Sequence, residues 1–157
     1  MDAIASKGLT TATIENFTHI MTRVGTAKKI AELFCLRRDH PLAEGLVNRI
    51  AEVNFIDYVI DHRDVEGSRP ILYTHRFLLS IFPEIMTTIA DEKHLSDTAK
   101  LLEINPDRVS YEKLQVQVRS RVEDSLNRLR IGNELTKFSR AAIAYHIRDA
   151  YKMRASI

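Results

Sequence analysis

Apolar residues recur at helical spacing along almost the whole chain, and residues that make tight turns are scarce. The first such apolar stripe comprises Ile14, Phe17, Ile20, Met21 and Val24. The 157 residues include only five Gly and four Pro, too few for the many reverse turns of a β-rich fold. The sequence therefore predicts an all-α protein. We expect one compact domain over residues 1–157, with about six to eight helices, ending in two long basic helices.

One segment leaves the choice between helix and strand open. Residues 71–82, ILYTHRFLLSIF, are rich in aromatic and large aliphatic side chains, which also suit a strand. No partner strand is evident nearby, so we predict a buried helix. A short helix is predicted for residues 84–93, and another for 97–103 with Ser96 as its cap. Asn105 is predicted to cap the next helix, which runs to Ile131.

Charge is distributed unevenly although the formal net charge is only +2. Residues 108–157 contain eleven Lys and Arg but only five Asp and Glu, whereas residues 1–107 lean acidic. Eight of those eleven cations are Arg, which binds phosphate or carboxylate through two parallel hydrogen bonds. The basic part predicts an anionic partner, either a nucleic acid or an acidic protein.

The first long basic helix has an apolar seam edged by arginines. At about 100° per residue, the seam comprises Val118, Val122, Leu126 and Leu129. The flanking residues are Arg121 and Arg128 on one side and Arg119 and Arg130 on the other. These arginines either cover the seam with their apolar stems while their heads reach water, or they bind phosphates.

The last helix, predicted from Glu134 to about Arg154, has two distinct faces. Its apolar arc, expected to face the core, comprises Leu135, Phe138, Ala142, Tyr145 and Met153. The other face comprises Lys137, Arg140, Ala141, Ala144, Arg148, Tyr151 and Lys152. A solvated helix face usually mixes charge signs, and this one does not, so we predict phosphate contacts here, with a solvated basic face as the alternative. Asp149 falls on the apolar arc and is predicted to be buried beside a cation elsewhere in the fold or on another subunit.

Residues 95–114, LSDTAKLLEINPDRVSYEKL, resemble a helix-turn-helix segment. Ala99, Leu102, Ile104 and Val109 occupy its apolar positions. Glu103 stands where such motifs usually have Gly, and a left-handed backbone at Glu is strained, so the turn is expected to differ in shape. The alternative is two packed helices joined by an Asn-Pro cap.

Candidates for catalysis or metal binding are weak. The acidic cluster DYVIDHRDVEG includes Asp57, Asp61, His62, Asp64 and Glu66, but a metal site needs a second ligating segment, and none is evident. His75 is predicted to be a core-edge residue rather than a general base, and Cys35 to be buried and inert. No motif indicates a cofactor or a resident metal, and we expect no enzymatic activity.

These features favour a non-enzymatic protein that binds nucleic acid, DNA rather than RNA, as a homo-oligomer that coats, packages or organises it. The predicted contacts are Arg119, Arg121, Arg128, Arg130, Lys137, Arg140, Arg148, Tyr151, Lys152 and Arg154. Alternatives are a helix-turn-helix-like regulator using residues 95–114 and a helical adaptor or inhibitor for an acidic partner. No membrane span or signal peptide is evident, so an intracellular location is expected, in the cytoplasm or a nucleoprotein particle.

Overall fold

A computed structural model describes residues 11–39, 45–62, 70–131 and 134–155, and every regular element in these ranges is helical. The helices are α1 (Thr11–Met21), α2 (Val24–Asp39), α3 (Leu46–Val53), α4 (Phe55–Asp61), α5 (Ile71–Ile81), α6 (Glu92–Leu101), α7 (Tyr111–Leu129) and α8 (Lys137–Ala155). The all-α prediction is confirmed. The ambiguous segment 71–82 forms α5, as predicted. None of these helices combines the length and apolar character needed to cross a bilayer.

Helices α1 to α5 enclose the first of two apolar cores. Its fully or almost fully buried members include Ile20, Leu33, Ile50, Val59 and Leu78. Each of these five helices contributes at least one of these residues, because each turns its apolar side toward this core.

The corner between α1 and α2 and the break between α3 and α4 have local causes. The buried hydroxyl of Thr26 donates to the carbonyl of Ile20 at 2.7 Å, so Thr26 joins α1 to α2 from inside α2. Asn54 adopts a left-handed conformation, with φ 52°, between α3 and α4. Asn tolerates this region better than most residues.

Helices α6, α7 and α8 enclose the second core. Its buried members are Ile89, Leu95, Ala99, Leu114, Val118, Val122, Leu126 and Ala144. Three residues of the predicted α7 seam are buried here, but Leu129, the fourth, is exposed. The seam therefore ends one turn before the helix does.

The segment between α5 and α6 connects the two cores and is not helical, so the short helix predicted for residues 84–93 is wrong. Its backbone bonds to other elements instead. Gln115 of α7, which is fully buried, accepts from the backbone N–H of Thr87 at 3.1 Å and donates to the carbonyl of Ile89. The backbone N–H of Thr88 donates to the carbonyl of Ala141 in α8 at 3.1 Å. These tertiary partners replace the hydrogen bonds that a helix would have made within itself.

The helix-turn-helix spacing is not formed. Helix α6 is capped by Asp91, whose carboxylate accepts from the backbone N–H of His94, and not by Ser96. Helix α7 begins only at Tyr111 after a Ser110 cap, so the start predicted at Asn105 is wrong. The nine residues from 102 to 110 form a connection longer than the three- or four-residue turn of that motif.

Glu103 nevertheless adopts the left-handed conformation that the motif requires of Gly, with φ 60°. The next N–H, of Ile104, bonds back to the carbonyl of Ala99 at 2.9 Å, the closing bond of a Schellman motif. Ile104 then packs against the second core, and this contact compensates for the strain at Glu103. The prediction that Glu103 would avoid this conformation is wrong.

Candidate functional site

Helix α8 is oriented with its small residues inward, opposite to the prediction. Ala144 is fully buried and Ala141 nearly so, whereas Phe138 is 58% exposed and Met153 67% exposed. Tyr145 is also exposed. The alanines let α8 approach the neighbouring segment closely enough for the bond between Ala141 and Thr88. The predicted arc therefore faces outward at Phe138, Tyr145 and Met153, whereas Leu135 packs against the second core.

The inward face brings the cations of α8 to acidic residues from other elements. Lys137 Nζ lies 2.7 Å from Glu84 Oε1, and Arg140 Nη1 lies 2.7 Å from Glu123 Oε2. Arg148 Nη1 lies 3.8 Å from Asp97 Oδ2. Three of the predicted phosphate ligands thus bind carboxylates of the fold itself, two of which, Glu84 and Asp97, come from the acidic part of the chain.

Glu84 is shared between two cations. Arg37 Nη2 lies 3.1 Å from the same Oε1 atom that Lys137 contacts. Partial burial alone would raise the pKa of Glu84, but the hydrogen bond from Lys137 and the charge of Arg37 outweigh it and lower that pKa. Neither Glu84 nor Arg37 was singled out in the sequence, because their proximity to α8 depends on the tertiary fold.

Arg119 is not accessible to a phosphate. Its side chain is 4% exposed, and its Nη2 lies 2.7 Å from Glu123 Oε1, one turn along α7. Burial lowers the pKa of Arg119, as does the nearby charge of Arg140, while Glu123 opposes the shift. We therefore remove Arg119 from the candidate ligands, because a buried guanidinium that bonds a carboxylate presents no surface to an anion.

Other candidate cations remain at the surface. Arg121, Arg128 and Arg130 are exposed along the second half of α7 and just beyond it, and Arg154 is exposed in the last turn of α8. Within the part of the chain that the structure describes, no ion pair involves these four arginines. Tyr151 and Lys152 are also exposed in that last turn. Arg121 and Arg128, seven residues apart, lie on the same side of α7.

Asp149 is not buried as predicted. Its side chain is 46% exposed, and the closest cation is its neighbour Arg148, whose Nε lies 3.6 Å from Oδ1. The outward orientation of the apolar arc explains the difference, because Asp149 follows that arc to the surface.

Two histidines are buried against the long helices. His75 is fully buried rather than at the core edge, stacks on Tyr111 at 3.7 Å between ring centres, and bonds the carbonyl of Ala90 through Nδ1 at 2.7 Å. Its Nε2 has no hydrogen-bond partner among the described residues and lies 3.8 Å from a carboxylate oxygen of Glu92. His94 contacts α8 through the carbonyl of Tyr145, at 3.1 Å from Nε2. Burial lowers the pKa of both histidines.

The catalytic and metal candidates do not come together. Within the described ranges no group of three or more His, Cys, Asp or Glu side chains could hold a metal ion; Asp64 and Glu66 lie outside those ranges. The ring of His62 stacks on Tyr58, and its Nδ1 contacts the carbonyl of the same residue. Cys35 is exposed, not buried, because only Leu33 and Leu36 on that stretch of α2 face the core.

Comparison of the chain with protein-family models, with curated proteins and with solved structures found no match.

Proposed function

We propose that this chain is a non-enzymatic nucleic-acid-binding protein that contacts phosphates through exposed arginines of α7 and of the last turn of α8. The observation that carries the proposal is the exposure of Arg121, Arg128, Arg130 and Arg154 without an ion pair in the described part of the chain. A carboxylate partner competes with a phosphate for an arginine, and within the described residues these four arginines have no such partner. Tyr151 is available beside Arg154 to donate a hydrogen bond to phosphate or to stack on a base.

The form of binding that we propose is assembly of several copies on the nucleic acid, DNA rather than RNA. Exposed apolar side chains support an assembling protein, since contiguous apolar surface marks contacts between chains. On α8 these are Phe138, Tyr145 and Met153, and Leu129 and Ile131 are exposed after the α7 seam. The regulator alternative loses its support, because the helix that would read bases does not begin at Asn105.

The test is binding to labelled double-stranded DNA and RNA over a salt series, with the mass of the complex measured in parallel. Each phosphate contact contributes about 0.9 to the negative slope of log affinity against log salt on duplex DNA. We expect the double variant R121E/R128E to flatten that slope by about 2 and to weaken binding steeply.

The matched control is K28E/K93E, which changes the net charge equally at two exposed lysines outside the basic part. We expect it to retain most of the affinity. Equal losses in the two variants would reduce the effect to net charge alone, and no binding at low salt would favour the adaptor alternative. Complexes that grow with DNA length would support assembly, whereas one discrete complex would contradict it.

A further inference from the structure

Two cations from distant parts of the chain meet on one carboxylate oxygen. Arg37 of α2 and Lys137, the first residue of α8, both bond Oε1 of Glu84, at 3.1 and 2.7 Å. Both cations keep part of their side chain in solvent, Lys137 the larger part. A single carboxylate carries one negative charge, so this trio retains a net charge of +1 on its accessible side.

A second trio with the same imbalance adjoins the first. Arg119 and Arg140 share Glu123, each at 2.7 Å from one of its oxygens. Arg119 Nη2 also reaches toward the backbone carbonyl of Lys137, at 3.5 Å, which joins the two trios. In the described part of the chain, the buried Nε and Nη1 groups of Arg119 and the Oε1 atom of Glu123 lack a hydrogen-bond partner. With two cations and one carboxylate, this trio also carries a net charge of +1.

We infer that Arg37 and Lys137 bind one phosphate group at the surface of a cluster of six residues. We call them the cation cluster: Arg37, Glu84, Arg119, Glu123, Lys137 and Arg140. Four cations and two carboxylates leave an excess of two positive charges, which equals the charge that a phosphate monoester approaches at neutral pH. The phosphate bonds Arg37 and Lys137 from solvent, while Arg119 and Arg140 supply positive potential from beneath.

The start of α8 adds to the attraction. Lys137 is the first residue of a 19-residue helix, whose N-terminus carries positive partial charge and backbone N–H groups without helical partners. The Thr136 hydroxyl accepts from the N–H of Ser139 at 3.1 Å. The N–H groups of Lys137 and Phe138, which precede Ser139, point toward the N-terminal end of the helix.

The cation cluster does not depend on the proposed function, because it shares no residue with the exposed arginines of α7.

The test is titration of the full chain with inorganic phosphate and with pyrophosphate at low salt. Calorimetry and amide chemical shifts measure the binding. We expect saturable binding of one ligand per chain. The variant K137M should weaken binding about tenfold, since it removes one charge-assisted hydrogen bond. E84Q should strengthen binding, because it removes the carboxylate that competes with the ligand.

The opposite signs of these two effects separate a ligand site from a structural role. If the cluster only stabilises the fold, E84Q and K137M should both destabilise the fold and should both weaken phosphate binding. That result would overturn the inference. Thermal melting of each variant verifies that it is folded. K93M, at an exposed lysine outside the cluster, should bind phosphate as the wild type does; an equal loss in K93M and K137M, or no saturable binding, would also refute the site.

A competition experiment identifies the source of the phosphate. Displacement of bound DNA by pyrophosphate, together with weaker DNA binding by K137M, would assign the site to a nucleic-acid backbone. Phosphate binding that leaves DNA affinity unchanged would assign it to a free phosphate or a small phosphorylated ligand. R121E/R128E should retain phosphate binding, so failure of the nucleic-acid proposal and failure of this one give different results.

Discussion

Helices α7 and α8 are both 19 residues long, yet different kinds of side chain are buried in them. In α7 the large aliphatic residues Val118, Val122 and Leu126 face the core, as their spacing predicts. In α8 the fully buried positions are Ala141 and Ala144, Ile143 and Ile147 pack only partly against the second core, and Phe138, Tyr145 and Met153 are exposed. Each helix contacts α6 and the other, and α7 also contacts α3.

The comparison shows that apolar area alone does not decide the orientation of a helix. An inward Phe138 would bury more apolar surface, but it would hold α8 away from the segment near Thr88 and separate Lys137 from Glu84. The inward alanines allow the close backbone contact, and the ion pairs at Glu84 and Glu123 reinforce it. The exposed apolar arc is then available for other contacts.

The largest expected effect is in the α7 seam. Leu126 and Leu129 lie in one predicted stripe, but Leu126 is 6% exposed and Leu129 65% exposed. We expect L126A to lower the free energy of unfolding by about 2 to 4 kcal/mol, and L129A by less than about 0.5 kcal/mol. Urea denaturation measures both. Equal losses would contradict the description of where the seam ends.

The next effect concerns the carboxylate that both helices share. E123Q removes the negative charge between buried Arg119 and Arg140, and we expect it to cost about 2 to 3 kcal/mol of unfolding free energy. Glu134 is an exposed acid between the two helices, so E134Q is the matched control and should be near neutral. A neutral E123Q, measured by the same denaturation, would show that α8 needs no ion pair to keep its orientation.

The inward alanines of α8 give a third test. A144L forces a larger side chain into the second core, where Ala144 is fully buried, and we expect it to cost about 1 to 3 kcal/mol. Ala150 is exposed on the same helix, so A150L should change the unfolding free energy by less than about 0.5 kcal/mol. A tolerated A144L would mean that the contact is looser than the bond between Thr88 and Ala141 indicates.

The smallest expected effect concerns the two histidines that pack against α7 and α8. Burial lowers the folded-state pKa of His75 and His94 below their ordinary value of 6.5. Between that lowered pKa and 6.5 the unfolded chain binds protons that the folded chain does not. Stability is therefore full above pH 6.5 and falls as the pH decreases through this window, by at most about 1.4 kcal/mol per pH unit for each group.

The two histidines should contribute unequally to that decline. His75, packed on Tyr111 of α7, is the more deeply buried, so H75Q should flatten the pH dependence of unfolding free energy more than H94Q. Chemical denaturation between pH 5 and pH 7.5 checks this. The reverse order would indicate that the contact between His94 and α8 controls the acid response.

How far the sequence predicts this molecule depends on whether a feature is local. The helical class and the α5 helix follow from periodicity and from the scarcity of turn residues. The non-helical segment around Thr87 does not, because its hydrogen bonds come from Gln115 and Ala141, which are distant in the chain. The cap at Asp91 and the cap at Ser110 before α7 are local, but Ser96 and Asn105 suit a helix cap equally well by residue type, so the sequence did not distinguish between them.

The same distinction between local and tertiary features applies to the candidate site. The sequence by itself determined that the last third of the chain is basic and rich in arginine, and that Arg121 and Arg128 share one side of a helix. Only the tertiary structure decided which cations are available, because a charge on a helix face binds whichever carboxylate the fold brings within reach. Glu84 and Glu123 pair with cations that the sequence presented as free, and no local pattern encodes those distances.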